Sequence, residues 1–269
     1  MFSIIVPTLG ERTFELKRLL DSLTKQGEIK SEVIIAAQDN FDLVENVTSH
    51  YSSLLNIKVL RISRKGLSYA RNEALQHVSG DILTFSDDDC WYPDNIFQDI
   101  QSYVSRSEIC TFQIYDFDAK QQYKNYPKEP YLMHRSIFKA FKVSSIEIFI
   151  NLKAVSALDI KFDENFGLGS RYPGGEEINL LIDFIRGGYK IDYIPLPVVY
   201  HKKNGHRLND KVLEVKGAFL ARNFGLLSCL FLGGGFYLKK VKHIGFKFSG
   251  ISALLKGFIS FRKAQRGVK

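Results

Sequence analysis

The sequence lacks the signatures of several common protein classes. Its three cysteines, Cys90, Cys110 and Cys229, are widely spaced and form no Cys-x-x-Cys pair, so neither a disulfide framework nor a zinc site is predicted. The first predicted strand is not followed by GxGxxG, and no P-loop motif occurs, which disfavours a Rossmann dinucleotide site and a P-loop phosphate site. An uncharged apolar stretch at residues 224–238 has 15 residues and contains Gly-Gly-Gly, so it is too short and too broken for a membrane-spanning helix.

The N-terminal residues contain no leader pattern. Residues 1–12 begin an apolar strand pattern at once, without a basic segment or a long apolar stretch before a small-residue cleavage site. Hydrophobic residues make up 45% of the chain and aromatic residues 13%, as in globular proteins. We therefore expect a cytosolic globular protein that has one large α/β domain and an appendage.

Charge is divided unevenly along the chain. The whole sequence of 269 residues has a net charge of +8. Residues 201–269 contain 15 Lys and Arg against two acidic residues, a net charge of +13, which leaves −5 for residues 1–200. An acidic body suits a metal ion, whereas a basic C-terminal segment suits phosphates, anionic lipid headgroups or nucleic acid.

Strand and helix patterns alternate along the first 200 residues. Strands are predicted at residues 2–6, 32–37, 56–60, 82–85, 189–194 and 197–201, and helices at residues 11–26, 68–77 and 178–186. Such alternation predicts parallel strands joined by right-handed crossovers. The fold class is therefore an open α/β sheet, whose ligand site lies at the carboxyl ends of the strands.

Three adjacent aspartates, Asp87, Asp88 and Asp89, follow the predicted strand 82–85. Carboxylates crowded at a strand end repel one another unless a cation neutralises them, and a hard divalent ion with oxygen ligands does so well. The alternative is a solvated turn, in which Asp89 or Asp94 caps the helix that is predicted to begin near residue 93.

Four motifs occur in a characteristic order. They are SIIVPT at residues 3–8, GLSYARN at 66–72, GDILTFSDDDCWYP at 80–93 and GGEEINL at 174–180. Together they resemble the family 2 glycosyltransferases over roughly the first 200 residues. The resemblance implies an A-type glycosyltransferase fold with an open, mostly parallel sheet flanked by helices. It also implies a nucleotide-diphosphate-sugar donor, most simply a UDP-sugar, a divalent metal (Mn²⁺ or Mg²⁺), and inversion at the anomeric carbon.

The resemblance implies that the acidic triplet binds the metal that activates the donor. A metal across both donor phosphates stabilises the negative charge of the departing nucleoside diphosphate. We assign Asp88 as the first choice of metal ligand and Asp89 as the second, with Asp87 contacting the donor, although spacing does not settle the division among the three. In some related enzymes a histidine after the last strand completes the metal shell, so His201 is a third candidate ligand, with a purely structural role as the alternative.

Further residues are candidates for contacting the donor. Arg71 lies early in a helix, where its guanidinium suits either a phosphate or the acidic triplet itself. Base recognition in the family typically uses an aspartate at the end of the second strand, but the nearest residue here is Ala37, so Gln38 or Asp39 is expected to replace it. The remaining candidates lie beside these residues or at other strand ends: Pro7, Thr8, Asn72, Lys202 and Lys203.

Inverting transfer needs one base to take the proton from the acceptor hydroxyl. Glu176 and Glu177 stand at the start of a predicted helix after a Gly-rich loop. In the family the second member of such an acidic pair is generally the base, so we assign Glu177 as the base and Glu176 as its orienting neighbour. The alternative is a purely electrostatic role, because carboxylates at a helix start complement the helix dipole.

The family resemblance covers roughly the first 200 residues, and the basic, apolar residues follow it. We therefore predict a catalytic domain at residues 1–205 and a C-terminal helical segment at residues 206–269. In that segment Ile251, Leu254, Leu255, Phe258 and Ile259 recur at helical spacing beside basic residues, which predicts an amphipathic helix lying on an anionic membrane surface. The alternative is a helical hairpin that packs on the catalytic domain or on a second subunit.

The expected partners are a saccharide or lipid-linked saccharide acceptor, used in surface polysaccharide or glycolipid synthesis at the inner face of the membrane. Nucleic acid is not expected as a partner, because the basic segment is too apolar for an arm that follows phosphates. The alternatives are a non-catalytic sugar-nucleotide-binding protein and a nucleic-acid-binding protein that uses the basic segment.

Overall fold

The computed structural model describes residues 1–203, 209–237 and 248–267. The strands are β1 (Phe2–Thr8), β2 (Ser31–Ala37), β3 (Asn56–Arg61), β4 (Ile82–Phe85), β5 (Ile109–Asp116), β6 (Gln121–Gln122), β7 (Tyr131–Leu132), β8 (Ile148–Asn151) and β9 (Ile191–Tyr200). The helices are α1 (Thr13–Leu23), α2 (Phe41–Ser49), α3 (Leu67–Leu75), α4 (Ile96–Arg106), α5 (Glu176–Arg186), α6 (Asp210–Asn223), α7 (Leu226–Ser228) and α8 (Phe248–Gly267). The predicted boundary between residues 205 and 206 lies outside the described residues.

One mixed sheet organises the molecule, with strand order β3-β2-β1-β4-β8-β5-β9-β7 and β6 paired to β5. Strands β1 to β4 are parallel, as are β5 and β9, whereas β8 runs antiparallel to both of its neighbours. The chain passes outward from β1 to β3 and returns to β4 on the other side of β1, so the strand order reverses between β1 and β4. Ligands of open α/β sheets bind at such a point, and the acidic triplet follows β4 there.

The predicted α/β fold with a mostly parallel sheet is confirmed. Strands β5 and β8 were not predicted, and β8 makes the sheet mixed. The two strands predicted around residues 189–201 form one strand, β9, although it contains Pro195 and Pro197. The register between β5 and β9 shifts on both sides of Gln113, and this irregular pairing leaves room for residues that lack an amide hydrogen.

The strands alternate their side chains between two apolar layers. Ile4 and Val6 of β1 face one layer, which α1 and α4 cover, and Ile5 faces the other, which α3 and α5 cover. At the amino-terminal edge of the sheet, the buried Glu32 of β2 accepts hydrogen bonds from the Ser3 hydroxyl and from the amides of Ser79 and Gly80, at 2.5, 2.6 and 3.1 Å. This carboxylate ties β1 and β2 to the turn before β4.

The C-terminal helices pack on the first 200 residues through a third apolar layer. Leu254, Phe258 and Phe261 of α8 are buried there with Phe166 and Tyr172 from the loop before α5. The predicted amphipathic stripe is therefore split, because Leu254 and Phe258 are covered by protein and Ile251 and Ile259 of the same stripe are exposed. Packing on the domain was the alternative that the sequence left open.

The backbones of helices α6 and α8 are in close contact. A Cβ atom on Gly217 would lie 1.9 Å from the Leu254 carbonyl oxygen, and one on Gly257 would lie 1.9 Å from the Glu214 carbonyl oxygen. Only glycine allows such an approach. In the part of the chain that the structure describes, no helix has both the length and the apolar content needed to cross a bilayer.

Candidate active site

The carboxyl ends of β1 and β4 bring the acidic triplet against the loop after β1. The Thr8 hydroxyl donates to Asp88 Oδ2 at 2.6 Å and accepts from the Gly10 amide at 2.9 Å. Arg12 Nη1 lies 3.3 Å from Asp88 Oδ1 and also pairs with Asp89. Burial raises the pKa of Asp88 to about 6, although the Thr8 hydrogen bond and the Arg12 charge act in the opposite direction.

Arg71 connects the acidic triplet with the acidic pair of α5. Its side chain is fully buried, with Nη2 at 3.3 Å from Asp87 Oδ1 and Nη1 at 3.2 Å from Glu176 Oε1. Nη2 also donates to the Ser145 hydroxyl at 2.8 Å. Of the two roles that the sequence suggested for Arg71, the structure shows the pairing with the acidic triplet. Two motifs about 90 residues apart therefore meet on one guanidinium.

A group of potential metal ligands lies at the same edge of the sheet. One ligand atom from each of Asp87, Asp89, Cys90 and His201 lies within 4.8 Å of the others. His201 Nε2 is 3.2 Å from Asp89 Oδ1, with 13% and 21% of the two side chains exposed. The carboxylate of Asp88 points to Thr8 and Arg12 and is not part of this group.

The chemistry of this group fits Mn²⁺ or Mg²⁺. Two carboxylates and an imidazole are suitable ligands for Mn²⁺, and Mg²⁺ accepts the carboxylates. His201 Nδ1 is buried and has no hydrogen-bond partner among the described residues, which is costly unless another group meets it. Burial raises the pKa of the Cys90 thiol well above its usual value, so the sulfur is the least suitable of the four ligands.

Burial would lower the pKa of His201, but the hydrogen bond and negative charge of Asp89, followed by the charge of Asp87, raise it overall. The same surroundings favour a positive charge at this place, whether it is a proton or a metal ion.

The other predicted donor contacts lie along the same edge in different settings. Gln38 Oε1 accepts from the Gly66 amide at 2.6 Å and so holds the loop before α3. The Asp39 side chain, 46% exposed, pairs with Lys65. Pro7 forms part of β1, directly before Thr8. These residues lie at the carboxyl ends of β1 and β2, where the sequence predicted contacts with the donor.

Asn72 and the two lysines after β9 make contacts away from the acidic triplet. The Asn72 side chain exchanges two hydrogen bonds of 2.9 Å with the backbone of Phe162 and thereby holds the loop that leads to α5. Lys202 Nζ lies 3.9 Å from Asp118, and the backbone amide of Lys203 donates to Asp116 at 2.9 Å. The structure therefore does not bring the Asn72 side chain to the metal-ligand group.

Helix α5 carries the acidic pair at its first two residues, after Gly175, whose φ of +81° ends the Gly-rich loop. Glu176 is buried on Arg71. Burial first, and then the negative charge of Glu176, raise the pKa of Glu177 above its usual value, while Arg71 and Lys124 oppose the shift. A base with a raised pKa binds a proton more strongly, which suits proton abstraction near neutral pH.

The segment after β6 borders the metal-ligand group and was not predicted to take part in the site. The Tyr123 ring meets the His201 ring edge-on, with centroids 5.4 Å apart. The next residue, Lys124, donates to Glu147 at 2.5 Å and to the Ser144 hydroxyl at 2.8 Å. Lys124 and Glu147 line a cavity of about 700 Å³ whose wall also includes five aromatic rings, from Phe112, Tyr126, Tyr131, Phe138 and Tyr193.

Arg12 and Lys216 are cations that lie near the acidic residues and were missed from the sequence. Arg12 stands in the loop after β1, and its position at the same sheet edge as the triplet was a usable signal. Lys216 of α6 lies with Nζ 5.7 Å from the ring centroids of Phe219 and Phe236. Burial lowers the pKa of Lys216, and the charge of Glu177 opposes that shift. No periodicity identifies such a residue, because it depends on how α6 packs.

Comparison with known proteins gives the class to which this fold and site belong. The family model described as "Glycosyl transferase family 2" matches residues 3–165, more than half of the chain, and the chain belongs to this family. The resemblance predicted from the four motifs is thereby confirmed. The matched region includes the acidic triplet and Arg71, and it ends before Glu176.

Individual proteins resemble the chain to different extents. The amylovoran biosynthesis glycosyltransferase AmsB of Erwinia amylovora is 28% identical over 217 residues, which are 74% of this chain and 69% of AmsB. The glycosyltransferase GlyA of Streptococcus pneumoniae is 26% identical over 125 residues, 44% of this chain, and the match spans only 17% of the length of GlyA. The crystal structure of S. aureus TarS 1-349 in complex with UDP-GlcNAc has a TM-score of 0.62 at 18% identity, covering 98% of this chain and 81% of TarS 1-349. This last likeness confirms the fold.

Proposed function

We propose that the protein is an inverting glycosyltransferase that moves a sugar from a nucleotide-diphosphate sugar to a hydroxyl acceptor. The observation that carries this proposal is the double ion pair of Arg71, which holds Asp87 and Glu176 on one buried guanidinium. Donor activation and proton abstraction each need acidic groups, and the two sets must stay at a fixed separation. The buried guanidinium fixes that separation because it pairs with one carboxylate from each set. A UDP-sugar is the proposed donor, and the UDP-GlcNAc complex of TarS, which shares the fold, supports this choice.

The residues proposed to hold a divalent metal are Asp89, His201 and Asp87. When bound, Mn²⁺ or Mg²⁺ would stabilise the negative charge of the leaving diphosphate. Asp88 was the first choice from the sequence, but its carboxylate is held by Thr8 and Arg12. We propose that Asp88 instead orients Thr8 and Arg12 beside the donor. The Arg12 guanidinium, 54% exposed, is then free to turn from the carboxylates to a donor phosphate.

Glu177 is proposed to take the proton from the acceptor hydroxyl as that oxygen attacks the anomeric carbon from the face opposite the leaving group. Glu176 cannot easily move to do this because Arg71 holds it. Its negative charge contributes to the raised pKa of Glu177. Glu176 therefore positions and tunes the base, and Glu177 touches the acceptor.

The cavity beside Lys124 is the proposed place for the acceptor. It lies beyond β5, on the opposite side of the triplet from Gln38 and Asp39, so donor and acceptor would approach from opposite ends of the crevice. Aromatic walls suit the apolar faces of sugar rings. The acceptor is proposed to be a saccharide or a lipid-linked saccharide in surface polysaccharide synthesis, in line with the name of AmsB. The site of action is proposed to be the cytoplasmic face of the membrane.

Calorimetric titration tests this proposal directly. UDP, GDP, CDP and dTDP are titrated into the protein, each with and without Mn²⁺, and metal-dependent binding of one nucleotide is expected. Failure of all four to bind would contradict the enzyme assignment and favour the nucleic-acid-binding alternative, which uses the basic C-terminal segment.

A matched pair of variants then separates binding from chemistry. Glu177→Gln is expected to bind the nucleotide normally and to lose transfer, measured as release of nucleoside diphosphate from the matching sugar donor with a panel of acceptors. Asp42→Asn makes the same carboxylate-to-amide change at a side chain that is 97% exposed, and is expected to keep full activity. Normal turnover by Glu177→Gln would show that the base is another residue.

A further inference from the structure

Apolar side chains are exposed together just after α6. Helix α7 and the π-helical turn that follows it, Cys229–Gly233, carry four large side chains that are 54, 72, 50 and 79% exposed: Leu226, Leu227, Leu230 and Phe231. We call these four residues the apolar patch. Single exposed apolar residues are ordinary, but four within six positions mark an interaction surface.

The patch differs from the surface that the sequence predicted. The periodic stripe of α8 suggested an interfacial helix, but Leu254 and Phe258 are only 5% and 7% exposed and pack against the catalytic domain. The other side of the π-helical turn rests on α8, where a Cβ on Gly233 would lie 2.8 Å from Leu254 Cδ1. Helix α8 therefore supports the patch from beneath, and the patch itself faces solvent.

Basic residues accompany the patch. From residue 224 to residue 269 the sequence has nine Lys and Arg and no Asp or Glu. In the described part, Arg262 Nη2 donates to the Phe224 carbonyl oxygen at 3.0 Å, which places the basic last turns of α8 beside the start of the patch. Lys263 and Arg266, on the same turns, are exposed. Clustered basic residues beside apolar side chains are attracted to anionic lipid headgroups and allow the apolar groups to enter the acyl boundary.

A second copy of the chain is a poorer occupant for this surface. Two copies facing each other through the patch would bring the basic last turns of two α8 helices together, and like charges across an interface oppose association. An anionic bilayer offers an apolar interior and the opposite charge at once. We propose that the apolar patch and the basic turns of α8 dock the protein on the surface of an anionic membrane.

Docking here would also orient the active site. The Tyr172 hydroxyl, in the loop that leads to Glu177, lies 2.8 Å from the Ser260 hydroxyl of α8. The catalytic loop is thus attached to the helix that supports the patch. This orienting role, unlike the docking itself, rests on the proposed glycosyl transfer. If that proposal is correct, docking holds the acceptor cavity at a fixed height above a membrane that contains a lipid-linked acceptor.

Vesicle sedimentation tests the docking surface. The full chain is mixed with vesicles of phosphatidylcholine containing about one third phosphatidylglycerol, or with pure phosphatidylcholine. We expect the protein to pellet with the anionic vesicles, more weakly with the neutral ones, and less as salt increases. The double variant Leu227→Glu/Phe231→Glu is expected to lower the partition coefficient on anionic vesicles roughly tenfold or more, because it replaces apolar contacts by like-charge repulsion with the headgroups.

A matched control uses the same change at equally exposed positions elsewhere. Phe14→Glu/Leu158→Glu replaces side chains that are 74% and 92% exposed, and it is expected to pellet like the wild type. Thermal unfolding of both variants, and their nucleotide binding, verify that each is folded. These readouts also separate the two proposals, since a chain that pellets but binds no nucleotide would keep the docking surface and lose the proposed transfer.

Three results would overturn the docking surface. They are a wild type that does not bind anionic vesicles, a patch variant that binds as well as the control, and a wild type that is dimeric in solution and becomes monomeric only when the patch is changed. The last result would assign the patch to a second copy of the chain.

Discussion

Replacing Arg71 by Met tests whether the buried guanidinium holds the site together. The substitution keeps much of the side-chain length, but it leaves Asp87 and Glu176 facing each other without a cation. Breaking a buried ion pair on one side typically costs about 3–5 kcal/mol, because an unpaired charge remains. Glu176 is 8% exposed and Asp87 is 39% exposed, so water screens only one of the two carboxylates. We therefore expect the free energy of unfolding to fall by about 3 kcal/mol, at the lower end of that range.

Urea denaturation at two pH values is the assay. Arg71 is the main group that lowers the pKa of Asp87, against a larger upward shift from burial. Without Arg71 that pKa rises further in the folded state, so the variant gains a proton more readily on acidification. The loss of stability in Arg71→Met should therefore be larger at pH 8 than at pH 5. The sign follows because a raised folded-state pKa favours folding at low pH and ceases to do so as pH rises.

Arg64→Met is the control for this prediction. Arg64 is 57% exposed and pairs with Glu164, and exposed pairs contribute about 0–1 kcal/mol. If Arg71→Met lowered the free energy of unfolding by less than about 1 kcal/mol, or by no more than Arg64→Met, the central role given to this guanidinium would be wrong.

Three further predictions follow from the same structure. Glu32→Gln should lower the free energy of unfolding by about 1–3 kcal/mol in urea denaturation, because it weakens several buried hydrogen bonds. Burial opposes the ionised form of Glu32, but those hydrogen bonds hold its pKa below the usual value. The difference in unfolding free energy between wild type and Glu32→Gln should therefore be present above the unfolded-state pKa and disappear as pH falls. In the transfer assay, kcat/KM should rise with pH through a pKa above the ordinary glutamate value, because Glu177 must lose its proton to act as the base. A pH profile without this rise would contradict the assignment of Glu177 as the base. Gly217→Ala should destabilise the fold despite the better helix propensity of alanine, whereas Gly235→Ala, whose Cβ would meet nothing within 4 Å, should not, as thermal unfolding can show.

The parallel half of the sheet and the position of the acidic triplet were predictable from the sequence. Strands β1 to β4 are short apolar segments between turn and helix signals, and their parallel pairing follows from the crossover rule. Asp87–Asp89 come after β4 at the point where strand order reverses, so local pattern and topology agree. Strand β8 could not be predicted in the same way, because its antiparallel pairing with β4 and β5 is decided by contacts far along the chain.

Side-chain direction was harder to predict than position. Asp88 stands in the middle of the triplet, yet its carboxylate turns to Thr8 while its neighbours turn to His201. Similarly, the periodicity of α8 identified an apolar face but not the surface that covers it. A helical repeat shows which residues share a side, and only packing shows whether protein or another medium meets that side.

The third apolar layer has a consequence for protein engineering. Phe166 and Tyr172 come from the first 200 residues, whereas Phe258 and Phe261 come from α8, and the four are buried in one cluster. Removing everything after residue 205 would uncover the loop that leads to the acidic pair at the start of α5. A chimera with a relative would likewise have to exchange this loop together with both C-terminal helices. The smallest unit that can be transplanted with its chemistry intact is therefore set by this shared layer, and it extends well past the end of the sheet.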